Sequence, residues 1–170
     1  NERCMIRLLG DMRSYNYVIV PTHDFDHVVY SIRAIDFDQQ CYEGKFNVYR
    51  PQFFKENFKM VDLVSEKFEK QSVSQYKLEE RSIVAKRLLS FKNRVDRLIQ
   101  CMESDTLSTP EHETLLKTKI FEYTGDIRFK KSKNMGEILK NSLRGMYDGT
   151  LVKKIVLKLL EQNTESKKSL

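Results

Sequence analysis

No stretch of this 170-residue chain approaches the roughly 20 apolar residues that a membrane-spanning helix needs. A mean hydropathy of -0.55 and a charged fraction of 32% point the same way, to a soluble protein with no membrane partner. The first residues, "NERCMIRLLGDM", lack the long apolar core and small-residue cleavage site of a secretory signal. No Met stands at position 1, so the chain reads as a piece of a longer one. Cysteine is scarce and badly spaced for pairing. Cys4, Cys41 and Cys101 are odd in number, with no CxxC and no His at zinc-ligand spacing. A disulfide framework is therefore not expected, and three reduced thiols in a cytoplasmic protein are. Internal repeats and low-complexity segments are absent as well. What remains, 40% hydrophobic residues in a chain of this length, suits a single domain with one core.

The net charge of +6 is unevenly placed. Residues 1 to 112 hold 17 Lys and Arg against 17 Asp and Glu, whereas residues 113 to 170 hold 13 against 7. The lysines of that last third, including Lys130, Lys131, Lys133, Lys153, Lys154 and Lys158, are candidates for neutralising phosphates. They are interspersed with acids and spread over several predicted helices, so a solvated helical surface is the better expectation and nucleic acid is not an expected partner.

Along the chain, "YVIV" (17–20) and "VVYSIRAI" (28–35) are rich in β-branched and aromatic residues, with turn formers in the intervening "PTHDFDH". They predict a β-hairpin with a long loop. His23 and His27 read as polar residues of that loop, and neither they nor His112 read as metal ligands. "QQCYEGKFNVYRPQ" (39–52) has Gly44 and Pro51 and no sustained period, which predicts an ordered loop. From residue 53 onward the pattern is helical. Phe53, Phe54, Phe58, Val61, Val64 and Phe68 recur at three- and four-residue steps and predict one buried helix face. A long helix is expected from Val73 to Met102, with Ser72 as its cap. "STPEHETLLKTKIFEYTG" is the clearest helix signal: Thr109 caps, Pro110 suits the first turn and Gly125 stops it. Asn134 with Glu137 opens another helix as a capping box. A last one is expected over "TLVKKIVLKLLEQN", before a frayed tail at 163–170. The fold class is thus mainly α with an N-terminal β-hairpin. Its expected division is a helix end and loop (1–16), the hairpin (17–38), a loop (39–52) and helices (53–162).

The candidate chemistry lies at the front. Asp11 and Asn16 precede the first strand, and Asp36 and Asp38 end the second, so antiparallel pairing brings these oxygen-bearing side chains to one end of the hairpin. Phosphoryl transfer uses such a set: a carboxylate to orient and accept the proton of the attacking hydroxyl, and an Asn and an Asp to hold magnesium against the phosphates. At these residues the chain resembles the catalytic lobe of the protein-kinase-like superfamily, in particular the aminoglycoside-phosphotransferase-like branch. Its H-G-D-x-x-x-x-N loop is matched by Gly10-Asp11 with Asn16, and its I-D-[FW]-[DEG] strand end by "IDFD" at 35–38. Leu9 stands where that family usually has His, and the 20 positions from Asn16 to Asp36 exceed its usual hairpin by several residues.

The resemblance implies a kinase-like C-lobe. Asp11 would be the catalytic base, Asn16 and Asp36 the magnesium ligands, and Asp38 a further acid near the metal. It also implies magnesium and ATP as cofactors, a hydroxyl-bearing acceptor, and an N-terminal lobe elsewhere in the same chain, without which the fragment is inactive. In the same reading residues 42–51 form a substrate-binding segment, where Lys45 and Arg50 meet a phosphate or acid. The alternative is a small helical interaction module, or an inactive kinase-like fold, in which the acidic loop only turns the chain.

Overall fold

The computed structural model describes residues 2–105 and 107–147, so the expected final helix and tail lie outside the described residues. The chain is mostly helical with one two-stranded antiparallel sheet. A short helix α1 (Glu2–Ile6) leads through the loop 7–16 into β1 (Tyr17–Asp24) and β2 (His27–Ala34). Three 3-10 turns between Phe46 and Asn57 follow. Then come α2 (Phe58–Lys67), α3 (Lys70–Ser90), α4 (Lys92–Glu103), α5 (Pro110–Thr124), α6 (Ile127–Lys131) and α7 (Met135–Tyr147). None of the described helices is long and apolar enough to cross a membrane.

The core is organised around α7. Met135, Ile138, Leu139, Leu143 and Met146 recur at helical spacing, so one face can stay apolar along the whole helix. That face is buried with Val84 and Ala85 of α3, Leu116 and Ile120 of α5, and Phe129 of α6. The capping expected at Asn134 is present: Glu137 N–H donates to Asn134 Oδ1 at 2.9 Å. Glu137 in turn accepts from Lys133 N–H, one residue earlier than a standard capping box. Gly136 permits the close approach of α7 to the end of α4, because a Cβ there would stand 2.6 Å from Glu103 N and 2.9 Å from the Met102 carbonyl carbon. At the far side, Ser142 Oγ donates to Ile6 O at 2.8 Å and ties α7 to α1. The α1 helix is also held to α3 by Arg3, which grips both oxygens of Glu80.

Several local expectations hold. Thr109 accepts from His112 N–H, Pro110 opens α5, and Gly125 ends it in the left-handed conformation at φ 71°. Others change. The hairpin loop is short, not long: Thr22, His23 and Asp24 pair with Val29, Val28 and His27, leaving Phe25 and Asp26 as the turn. The long helix expected from 73 to 102 breaks at Phe91 (φ -116°, ψ 26°), which lets α3 lie on α1 and α7 while α4 takes its own path along α7. The face expected to be buried from Phe53 to Phe68 is not. Phe54 is buried, but Phe53, Phe58, Val64 and Phe68 are exposed, and α2 buries no residue at all. Periodicity showed an amphipathic helix; it carried no information about what covers it.

The hairpin is also open. Its register places Tyr17, Ile19, Pro21, Ala34, Ile32, Tyr30 and Val28 on one face. Only the base of that face, Tyr17 and Ala34, packs on a second small core of Cys4, Leu9, Met12 and Phe54. Ile19, Tyr30 and Ile32 are more than 60% exposed.

Two outcomes test these contacts. Gly136→Ala should lower the thermal midpoint although Ala is the better helix former by about 1 kcal/mol, because overpacking costs about 1–3 kcal/mol; a stabilised variant would mean the helices do not touch there. The hydrogen bond from Arg3, which outweighs partial burial, holds the Glu80 carboxyl below its ordinary value of 4.5. Its stabilisation is therefore present above that value and lost as the pH falls through the depressed one. Glu80→Gln should cost up to about 1 kcal/mol at neutral pH, a figure kept small because both side chains are about a third exposed. Urea melts of the two proteins should converge as the pH falls through the depressed value of the Glu80 carboxyl.

Candidate functional site

The site is built where the hairpin's two ends continue alongside each other. Beyond the last strand pair, Ile35 N–H donates to Asn16 O at 3.0 Å; further out, Gly10 N–H donates to Gln39 O at 2.9 Å and Cys41 N–H to Leu8 O at 2.7 Å. Leu9 and Gln40 form an isolated antiparallel bridge. Between these ties residues 11–15 lie opposite only residues 36–38, so the longer side must loop outward. Asp11 begins that loop at φ 49°, a left-handed conformation that a short polar side chain tolerates better than most. Gly10 is needed just before it, since a Cβ would stand 2.9 Å from Val48 Cγ2 and 3.0 Å from Gln39 O.

Asn16 is the clasp. It is buried, and its Nδ2 donates to both Asp11 Oδ2 at 2.9 Å and Asp11 O at 3.0 Å. Its side chain therefore fixes Asp11 while its backbone carbonyl fixes the segment that carries Asp36. With Nδ2 committed, Oδ1 accepts no hydrogen bond among the described residues. Asp36 is half-buried, and its Oδ1 accepts from Asp38 N–H at 3.2 Å, a local turn that aims the two acids together. Desolvation, then the Asp36 carboxylate, and more weakly that of Asp11, push the Asp38 carboxyl above its ordinary value although the residue is exposed. Asp38 thus feels the charge of Asp36 and, more weakly, of Asp11, and the segments that carry the four residues singled out in the sequence lie at one end of the hairpin.

Two contributors had no signal in the motif. Arg13 places Nε 3.0 Å from Asp11 Oδ1, a charge contact too bent to be a hydrogen bond. Its guanidinium also lies 5.2 Å from the Phe54 ring centroid and donates to the Tyr15 hydroxyl. Asn57, wholly buried, donates from Nδ2 to Met12 O at 2.6 Å and Pro51 O at 2.9 Å, pinning the loop from below. An Arg two positions after an Asp was readable as its counter-ion; a partner 45 residues away was not.

The histidines of the hairpin do not gather: by register His23 and His27 fall on opposite faces. Among the described residues no three His, Cys, Asp or Glu side chains are grouped to hold an ion by themselves. Cys4, Cys41 and Cys101 are free thiols. No family model, curated protein or solved structure matches the chain.

Asn16→Ala should cost about 1–3 kcal/mol, the penalty for leaving buried polar partners unmade, and Asn16→Asp should cost more by setting carboxylate against carboxylate. Urea denaturation reads both, and an Asn16→Ala protein as stable as the parent would show that the amide holds nothing.

Proposed function

We propose that this chain is the catalytic lobe of a kinase-like phosphotransferase that moves the γ-phosphoryl of ATP, with magnesium, to a hydroxyl acceptor. The observation that carries the reading is the double role of Asn16, which holds Asp11 through its amide and the approach to Asp36 through its carbonyl. In this reading Asp11 Oδ1 or Oδ2 orients the acceptor hydroxyl and takes its proton. Asn16 Oδ1 and Asp36 hold the magnesium ion, with Asp38 beside them. The donor set fits that ion: magnesium is usually held by one or two carboxylates together with waters and substrate phosphates rather than by a closed protein cage. When bound, it would neutralise charge on the phosphates. The Asp36 and Asp11 carboxylates, which after desolvation add to the upward push on the Asp38 carboxyl, also favour a cation at this spot.

The cleft needs a second wall to hold the nucleotide, and the reading assigns it to an N-terminal lobe of the same protein. The exposed apolar face of Ile19, Val28, Tyr30 and Ile32 supports this, since a hairpin bare on its apolar side is seldom stable without cover.

Arg13 favours the other reading. Its contact with Asp11 partly neutralises the base, as a structural acidic turn in an inactive fold or a helical interaction module would allow.

The two separate in the protein that carries its nucleotide-holding lobe. Asp11→Asn keeps the left-handed turn, and it should lower magnesium-dependent γ-phosphoryl transfer about 10²- to 10⁴-fold with an unchanged melting curve. Transfer unaffected by Asp11→Asn and Asp36→Asn would leave the structural reading standing.

A further inference from the structure

A groove of about 580 Å³ opens between residues 44–53 and α5, and none of the four acidic-loop residues lines it. Its size falls in the range of small-molecule sites. Three cations, Lys45, Arg50 and Lys119, and three aromatic rings, Phe46, Phe53 and Tyr123, form its walls. The single carboxylate, Glu122, is already paired with Lys119 at 2.8 Å. Neither Lys45 nor Arg50 has an ion-pair partner among the described residues. Arg50 is instead held by neutral groups. Its guanidinium lies 5.7 Å from the Tyr123 ring centroid, and with the Gln52 amide turned so that its oxygen faces the guanidinium, that oxygen accepts from Nε at 3.1 Å and Nη2 at 3.0 Å.

This arrangement orders the guanidinium without cancelling its charge, which is what recognition of an oxyanion by arginine requires. Tyr123 is itself fixed by Phe46 at 5.2 Å between ring centroids, yet both it and Phe53 remain more than half exposed. Two cations without a carboxylate partner, Lys45 and Arg50, set beside exposed aromatic faces in a concave site whose one carboxylate is paired with Lys119, select an anion with an apolar body. This setting disfavours cations and metal ions.

We propose that this groove binds a small molecule carrying a phosphate or carboxylate on an aromatic or apolar body. The proposal gives the anion contact expected of Lys45 and Arg50 a geometry. It does not rest on phosphoryl transfer at the acidic loop, because binding in the groove needs neither metal nor nucleotide and its failure would leave that reading untouched.

The test is a titration of the protein in metal-free buffer lacking phosphate and carboxylates, followed by amide NMR shifts. Phenyl phosphate, benzoate and the neutral benzamide serve as probes. Phenyl phosphate, alone or with benzoate, should move the amides of residues 44–53 and 115–123, and benzamide should not. Binding of phenyl phosphate only would make the natural group a phosphate; binding of both would make it an oxyanion in general. Lys45→Gln and Arg50→Gln should each weaken binding about tenfold or more, as loss of a hydrogen bond to a charged group implies. Tyr123→Ala, at an exposed position, should weaken it with the fold intact. No shift at the groove, equal shifts with benzamide, or affinities untouched by both charge variants would overturn the proposal.

Discussion

The front of this molecule depends on one buried amide. Asn16 Nδ2 donates twice to Asp11, and Asn16 O receives the N–H of Ile35, so one residue joins the loop before the hairpin to the segment after it. Its backbone carbonyl and the outer ties at Gly10 and Leu8 hold the two sides of the loop together, and its side-chain amide fixes Asp11 between them. Such an amide is not replaceable by packing. A buried carbonyl and carboxylate need donors, and an apolar side chain of the same size offers none. The support beneath the amide is correspondingly dense: Met12 sits in the small core, Asn57 grips its carbonyl, and Phe54 carries the Arg13 guanidinium.

Rigidity is distributed accordingly. The large core around α7 holds α3, α5 and α6 through side chains that are almost fully buried, and α1 is anchored to it by Ser142 and Glu80. The acidic loop hangs from α1 and so inherits that anchorage. By contrast, the upper hairpin and α2 expose most of their apolar side chains. Catalytic constellations are commonly carried by loops fixed to a rigid scaffold, and this loop is fixed at both ends while the surfaces flanking it remain open.

What the sequence revealed was local chemistry. The Thr109 cap, the Pro110 start, the Gly125 stop and the Asn134–Glu137 pairing each involve residues within one turn, so their meaning survives without knowledge of the rest. That the segments carrying Asp11 and Asn16 and those carrying Asp36 and Asp38 run side by side was legible for a related reason: an antiparallel hairpin brings its own ends together whatever surrounds it. Partners distant in sequence were not legible. Asn57 beneath Met12, the break at Phe91 and the exposure of α2 depend on how helices are stacked, and a 3.6-residue period is identical for a helix that is covered and one that is not. The hairpin turn was misjudged because turn-forming residues such as Thr22 and Asp24 can also pair at the end of a strand. The groove beside α5 joins two segments some 70 positions apart; only the cations Lys45 and Arg50 on one of them were visible beforehand.

The most direct test of the central claim is an anomalous difference map from a crystal of this protein soaked with manganese. The account predicts a peak within coordination distance, about 2.0–2.3 Å, of Asn16 Oδ1 and an Asp36 oxygen, with Asp11 facing the same cleft. A fully soaked crystal with no peak there, or with manganese bound only at other surface carboxylates, would contradict the claim and leave the acidic loop as a turn.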